Sequence, residues 1–283
     1  MGKQGKEKWH LAALLLLFCV LLLLFSIRPV QFPVNTGIEM VREKIAATGR
    51  IVHAGGFLTS AAGEKVAYTN SYDALDNMYA QGNRVCEIDI RQTGDGVLIC
   101  AHGDDEYLAD GCSLPVSATE NEFLSVRVFD EFRPMSVQML AQFMRDHCDL
   151  LIITDIIHDD NKEVCSKIAQ DYPDLLNQFV IQIYHEAEYE PISELGFPFI
   201  IYTLYRANDS ERNYWRISHF AETHELVGIT TQKEQFYIWK NQIAMAHCGA
   251  PLIFHTVNEK NEMKQMLSKD YVLGIYTDLT SVF

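Results

Sequence analysis

The chain of 283 residues is 48% hydrophobic and 22% charged, a balance that is typical of globular proteins and excludes wholesale disorder. Its formal net charge is −15, which argues against nucleic-acid partners because these require a basic surface. An acidic surface mostly confers solubility, and it is also compatible with a site that binds cations.

An apolar segment is the first element in chain order. Three lysines near the N-terminus precede an uninterrupted apolar run over residues 11–27, which is just long enough to span a bilayer as a helix. The residues that follow, 28–33, contain no small-residue cleavage site of the kind that ends a signal peptide. We therefore expect residues 1–30 to be an uncleaved, single-pass anchor in the cell membrane. The lysines predict a cytoplasmic N-terminus, which places the rest of the chain outside the cytoplasm.

After a predicted tether and short helix at 31–49, β-rich runs alternate with helix-like segments through one domain, 50–283. The predicted strands are 50–54, 84–90, 97–101, 149–155, 179–184, 197–204, 226–231, 252–257 and 272–277. Apolar periodicity and capping residues predict helices at 71–81, 136–148 and 161–171, and the polar stretch 103–134 is interpreted as a loop or small insertion.

The turn Thr93-Gly94-Asp95-Gly96 joins the second and third of these strands into a hairpin. If the hairpin is counted as one position, eight strands alternate with helices, which predicts an α/β protein with a TIM-type (β/α)8 barrel. An open, doubly wound sheet is the alternative, but the sequence contains no glycine-rich dinucleotide fingerprint to support it.

Histidines and carboxylates cluster at the ends of the predicted strands, where the active sites of such barrels lie. Glu87 and Asp89 alternate on one strand and therefore face the same side, and Asp155 ends the next strand. Three carboxylates form an oxygen site suited to Ca²⁺ or Mg²⁺, while His53 and His102 can act as acid and base. A single residue of this kind is usually a surface or core group, but five on three successive strands indicate a site.

These residues belong to motifs that resemble those of the glycerophosphodiester phosphodiesterase family, within the phosphatidylinositol phospholipase C-like superfamily. The motifs cover nearly the whole domain in order. They are His53-Ala54-Gly55, Thr69-Asn70-Ser71, Glu87-Ile88-Asp89, Thr93-Gly94-Asp95-Gly96, His102-Gly103, His255-Thr256-Val257-Asn258 and Gly274-Ile275-Tyr276-Thr277-Asp278.

The resemblance implies a TIM barrel that uses a divalent cation to hydrolyse a phosphodiester to an alcohol and a phosphomonoester. It makes His53 and His102 the acid/base pair and Glu87 and Asp89 metal ligands. Two departures concern the phosphate and the metal. The family's arginine after the first histidine is Ala54 here, and its third ligand, a glutamate followed by a lysine two residues later, is replaced by Asp155-Ile156-Ile157.

Arg91 and Arg206 are the candidates to replace the missing arginine, and His255 stands where the family usually has an aromatic residue that could touch substrate. The aspartate at 155 resembles sphingomyelinase D enzymes. Phospholipase-type cleavage of a lipid head group, of the sphingomyelinase D or phosphatidylinositol phospholipase C kind, is therefore an alternative. A barrel that binds a phosphorylated polymer without cleaving it is another.

Other residues receive simpler interpretations. Asp278, after the last strand, is expected to be structural, and Tyr205, Tyr214 and Trp215 are interpreted as core packing in preference to an apolar lip. The seven cysteines include no C-x-x-C pair, which makes zinc binding improbable. Disulfide pairing, oligomeric state and the natural substrate stay open.

Overall fold

Eight parallel strands close into a barrel in the computed structural model, which describes residues 36–103, 118–156, 159–208, 210–238 and 248–281. The barrel strands are β1 (Arg50–Val52), β4 (Val85–Gln92), β7 (Leu151–Asp155), β8 (Phe179–Ile183), β9 (Ile200–Thr203), β10 (Gly228–Gln232), β11 (Leu252–His255) and β12 (Val272–Thr277). The shorter strands outside the barrel are β2 (Leu58–Thr59), β3 (Lys65–Val66), β5 (Leu98–Cys100) and β6 (Met135–Ser136).

The closure of the sheet confirms the predicted (β/α)8 barrel. Each barrel strand pairs in parallel with the next one along the chain, and β1 pairs in parallel with both β12 and β4, which closes the ring. The predicted hairpin is also present: β5 pairs antiparallel with β4 outside the ring, and β6 extends it. The hairpin therefore occupies a single barrel position.

Helices follow most barrel strands, and most of the described helices begin at side-chain caps. Ser71 and Ser136, for example, accept hydrogen bonds from the N–H groups of Ala74 and Met139, which satisfies donors that the first helical turn leaves unpaired. The described α-helices are α1 (Thr36–Ala46), α2 (Tyr72–Ala80), α3 (Glu120–Ser125), α4 (Val137–Asp146), α5 (Asn161–Asp171), α6 (Tyr189–Ser193), α7 (Tyr214–Thr223) and α8 (Lys260–Leu267).

Helix α1 packs against the amino-terminal end of the barrel. Its buried face, Ile38, Val41 and Ile45, joins one hydrophobic cluster with interior residues of the strands. The guanidinium group of Arg42 donates to the backbone carbonyls at 226 and 227, just before β10, at 2.8 and 3.0 Å. Because apolar residues fill this end, the polar side chains of the interior lie at the opposite, carboxyl end of the strands.

The structure corrects or narrows the prediction in three places. The first strand ends at Val52 and not at 54, because residues 53–55 turn away from the sheet as a short 3₁₀ segment. Of the two interpretations of 103–134, a loop or a small insertion, the described residues favour the insertion, because they contain helix α3, which starts with a capping box at Thr119. The small β2–β3 hairpin was not predicted.

Two other predictions concern the membrane and the thiols. Within the described ranges no helix is both long and apolar enough to cross a bilayer, and the predicted anchor at 1–30 lies outside those ranges. The cysteines of the described part of the chain are free thiols, buried except for Cys148; they are Cys86, Cys100, Cys148, Cys165 and Cys248.

Candidate active site

Three carboxylates converge at the carboxyl end of two neighbouring barrel strands. Glu87 and Asp89 both point into the barrel from β4, and Asp89 is paired in register with Asp155 on β7. One oxygen atom from each residue lies within 4.8 Å of the others. Glu87 and Asp89 are only 2% and 3% exposed, so the cluster is a buried one.

Backbone turns beside the barrel hold the first two carboxylates. The N–H of Ala54 donates to Glu87 Oε2 at 2.9 Å. The Asn70 side chain donates to Asp89 Oδ2 at 2.8 Å and accepts from the Asp89 N–H at 3.0 Å. Ala54 and Asn70 both have left-handed backbone, with φ of 47° and 46°, a conformation that costs free energy and often clusters at functional sites.

Asp155 is held by two tyrosine hydroxyls instead. Tyr184, from the end of β8, donates to Asp155 Oδ1 and accepts from the Ile156 N–H. The Tyr205 hydroxyl lies 3.0 Å from Oδ1 and 2.8 Å from Oδ2. Tyr205 was interpreted as core packing or an apolar lip, and the structure corrects this, because its polar end contacts a candidate metal ligand.

The electrostatics of the cluster are unfavourable without a cation. Burial, and then the charges of Asp89 and Asp155, hold the pKa of Glu87 well above its ordinary value. Burial and the charge of Asp155 raise the pKa of Asp89 to about 6, and burial also raises the pKa of Asp155. Among the residues that the structure describes, these three carboxylates form no ion pair with a lysine or arginine.

One oxygen atom of Glu87 gives a second indication that the carboxylate cluster binds a cation. Glu87 Oε1 is buried and accepts no hydrogen bond from the described part of the chain, although a buried acceptor without a partner costs about 1–3 kcal/mol. A hard divalent cation would satisfy this oxygen and neutralise the mutual repulsion of the carboxylates. The residues present therefore fit a Ca²⁺ or Mg²⁺ site.

His53 lies beside the carboxylates and is oriented by a second carboxylate. Its Nδ1 is 2.8 Å from Asp278 Oδ1, and its Nε2 is 3.9 Å from Glu87 Oε2. Asn258 donates to Asp278 Oδ2 at 2.5 Å and accepts from the Asp278 N–H at 2.9 Å. An ionised carboxylate can only accept, so Nδ1 carries a proton, and in the neutral form of the ring the Nε2 lone pair faces the site. Asp278 was expected to have only a structural role, and the structure shows that it contacts His53 and sets the tautomer of the imidazole.

His102 and His53 contact the same aromatic ring. Tyr68 makes a T-shaped contact with each imidazole, with ring centroids 4.5 Å from His53 and 5.3 Å from His102. Tyr68, too, has left-handed backbone, with φ of 59°. The structure therefore brings both predicted acid/base histidines to the mouth that contains the carboxylates.

The predicted substrate-binding residues are one histidine with a buried ring nitrogen and two arginines that differ in their exposure to solvent. His255, at the end of β11, lies 5.3 Å from Tyr205 by ring centroids, and its buried Nε2 has no hydrogen-bond partner among the described residues. Burial lowers the pKa of His255 to about 4, so the ring is neutral at pH 7. Arg206 is exposed, 5.9 Å from the centroid of Tyr184. Arg91 is half-buried on β4, two residues beyond Asp89.

Sequence reasoning overlooked several supporting residues. Asn70 and Asn258 stood inside the quoted motifs, so their positions were visible but their partners were not. Tyr68 and Tyr184 had no sequence signal, because their contacts join segments far apart in the chain. Trp215 is 83% exposed, which corrects its interpretation as core packing, and the side chain of Tyr214 lies outside the described part of the structure.

No protein-family model matches the sequence, and no curated protein sequence matches it either. Solved structures do match. A glycerophosphodiester phosphodiesterase from Thermotoga maritima aligns with a TM-score of 0.61 at 14% identity, covering 82% of this chain and 94% of the other. One from Parabacteroides distasonis aligns with a TM-score of 0.60 at 15% identity, covering 82% and 94%.

A phosphodiesterase from Oleispira antarctica, solved in complex with the product sn-glycerol-3-phosphate, aligns with a TM-score of 0.58 at 14% identity, covering 81% of this chain and 92% of the other. At these identities the likeness establishes the fold, which is the one that the motifs predicted. This chain has the fold of the glycerophosphodiester phosphodiesterases over about four-fifths of its length, as the 82% and 81% coverages show.

Proposed function

We propose that this chain, whose barrel has the fold of the glycerophosphodiester phosphodiesterases, is a metal-dependent phosphodiesterase of that family. It hydrolyses a glycerophosphodiester-like substrate to an alcohol and a phosphomonoester. The observation that supports this most directly is the buried triad of Glu87, Asp89 and Asp155 with two histidines at the same mouth. A barrel that only bound phosphate would have no need of an acid/base pair.

The roles of the residues follow from their positions. Glu87, Asp89 and Asp155 would hold the divalent cation, which supplies charge neutralisation at the phosphoryl oxygens when bound. In the neutral ring, whose tautomer the Nδ1–Asp278 hydrogen bond sets, His53 Nε2 accepts or returns a proton at one side of the phosphorus. His102 provides the complementary proton transfer at the other.

This chain lacks the arginine with which the family holds phosphate, and we assign that role to His255 and Arg206 at the mouth of the barrel. His255 is a neutral imidazole at pH 7 with a buried nitrogen that lacks a partner among the described residues, so it can bind a phosphoryl oxygen. Arg206, exposed beside Tyr184, supplies a positive charge at the rim, and we place it ahead of Arg91 because its guanidinium lies over a residue that contacts Asp155.

The test compares His53→Ala and His102→Ala with wild type on glycerophosphocholine, with His219→Ala, an exposed histidine on α7, as the matched control. Loss of either acid/base group should lower kcat about 10²–10⁴-fold, and the control should stay at the wild-type rate. Equal rates in all four proteins would contradict the assignment. Phosphorus NMR of the products distinguishes hydrolysis from the phospholipase-type alternative, since accumulation of a cyclic phosphate would indicate attack by a hydroxyl of the substrate.

We also propose that the catalytic domain faces outward from the cell membrane, on the strength of the apolar run at 11–27 and the lysines before it. Cys148 is an exposed free thiol and offers a direct test. In a Cys112→Ser background, a membrane-impermeant maleimide should label the protein in intact cells, and adding Cys148→Ser should remove that labelling. Labelling of Cys148 only after lysis would contradict the orientation.

A further inference from the structure

The three carboxylates share a feature beyond their proximity, because all of them already accept hydrogen bonds from the protein. Glu87 and Asp89 do so through one oxygen: Glu87 Oε2 accepts the Ala54 N–H, and Asp89 Oδ2 accepts the Asn70 amide. An oxygen that accepts a hydrogen bond is the poorer metal ligand, because the donor competes for its lone pairs. In these two side chains the other oxygen is therefore the better ligand for a cation, and for Glu87 this is the buried Oε1, which has no partner among the described residues.

Asp155 is restricted more strongly. The Tyr205 hydroxyl lies at nearly equal distances, 3.0 and 2.8 Å, from its two oxygens, so it occupies the place between them that a bidentate cation would need. Tyr184 donates to Oδ1 as well. Oδ1 thus has two hydroxyl neighbours and Oδ2 has one, which leaves Oδ2 as the oxygen with a lone pair to spare.

We infer that the cluster offers three single oxygens, Glu87 Oε1, Asp89 Oδ1 and Asp155 Oδ2, and that Tyr205 thereby selects a cation of the Mg²⁺ type over Ca²⁺. The inference rests on the proposed function, which left the cation open. Ca²⁺ takes six to eight oxygens, often with bidentate carboxylates, whereas Mg²⁺ accepts few protein oxygens and keeps several waters. If each of the three carboxylates provides one oxygen, about half of the six coordination positions of Mg²⁺ remain for water or phosphoryl oxygens.

The position of the two tyrosines explains how a shorter ligand can serve. Asp155 stands where the resembling family has a longer glutamate, and its carboxylate is held from the side opposite β4 by hydroxyls from β8 and from the residues after β9. Groups that orient a ligand in this way typically change metal affinity by about 10–100-fold when removed. Tyr184 and Tyr205 are accordingly positioning residues, acting on the cation through Asp155.

The experiment measures the dissociation constants of Mg²⁺ and Ca²⁺ by calorimetry on the full-length chain in detergent micelles. Wild type should bind Mg²⁺ at least as tightly as Ca²⁺. Tyr205→Phe opens the bidentate position and should shift the ratio of the two constants toward Ca²⁺ by about tenfold or more. Tyr202→Phe is the matched control, because it removes a buried hydroxyl of β9 that has no hydrogen-bond partner in the described structure, and it should leave the ratio within about twofold.

A second readout does not depend on any variant. Mn²⁺ bound to wild type should retain about three inner-sphere waters, counted by electron–nuclear double resonance in ¹⁷O-water. Tighter binding of Ca²⁺ than of Mg²⁺ by wild type, or a ratio unchanged in Tyr205→Phe, would overturn the inference while leaving the proposed function intact. Binding of neither cation would remove the metal site itself, and with it both proposals.

Discussion

Replacing Glu87 by glutamine should stabilise the metal-free protein and abolish its response to Mg²⁺. Glu87 is 2% exposed, its pKa is held well above its ordinary value by burial and by Asp89 and Asp155, and its Oε1 has no donor in the described part of the chain. Glutamine keeps the shape and can still accept the Ala54 N–H through its oxygen. Its amide would then face the remaining carboxylates as a donor, in place of a carboxyl group that must either carry a charge beside theirs or take up a proton.

The size of the effect follows from these contacts. Relief of a buried, unsatisfied acceptor and of repulsion between like charges is worth about 1–3 kcal/mol of unfolding free energy in the absence of metal. Addition of Mg²⁺ should raise the unfolding free energy of wild type, by about 2.7 kcal/mol at a Mg²⁺ concentration one hundred times the dissociation constant. Wild type should thereby make up its deficit in stability relative to Glu87→Gln. The stability order of the two proteins should therefore reverse as Mg²⁺ is titrated in.

Urea unfolding of the full-length chain in detergent, with a chelator and then with increasing Mg²⁺, measures both effects. Glu211→Gln is the matched control. Glu211 is also buried, at 6% exposure, but it accepts hydrogen bonds from the Asn208 N–H at 2.9 Å and from His185 at 3.1 Å, so its loss should destabilise at every Mg²⁺ concentration. If metal-free Glu87→Gln proves less stable than metal-free wild type, or if both respond equally to Mg²⁺, the reasoning about the cluster is wrong.

Two further outcomes are expected. Asp278→Asn can present an amide N–H to His53 and invert its tautomer, so kcat on glycerophosphocholine should fall about 10²–10⁴-fold while calorimetric Mg²⁺ affinity stays within about threefold; an unchanged kcat would show that Asp278 is merely structural. His255 has a native pKa of about 4, below its ordinary 6.5, so the native state binds fewer protons between these values and loses roughly 3 kcal/mol of stability as pH falls from 6.5 to 4. His255→Phe should lack this loss in chemical unfolding at the two pH values, and identical pH dependence in both proteins would contradict it.

The barrel could be predicted from the sequence because its signals are local. Most barrel strands are short, largely apolar runs, and helices such as α2 and α5 begin at a capping residue that lies beside them in the chain. Glu87 and Asp89 could be assigned to one face from the alternation of a strand alone. The short strands β2 and β3 lack these signals, since each has two residues and no continuous apolar run.

The contacts that complete the site could not be predicted, because they depend on distances across the barrel. Tyr205 is 50 residues from Asp155 in the chain, and Asp278 is 225 residues from His53. Neither spacing has a periodicity that sequence reasoning can detect. The left-handed backbone of Ala54 and Tyr68 is equally hidden, since alanine and tyrosine are not residues that usually favour it.

The two departures from the family pattern can be understood together. Ala54 has no side chain to reach a phosphate, but its backbone N–H holds Glu87, so the position retains its role in the metal site and loses only a charge. Asp155 is shorter than the expected glutamate, but Tyr184 and Tyr205 hold it within reach of Glu87 and Asp89. Of these two changes, only the one at Ala54 removes a positive charge from the mouth, whereas Asp155 keeps a carboxylate within reach of Glu87 and Asp89. For the phosphodiesterase activity that we propose, substrate preference should therefore depend on the rim residues Arg206 and His255 and not on the carboxylates.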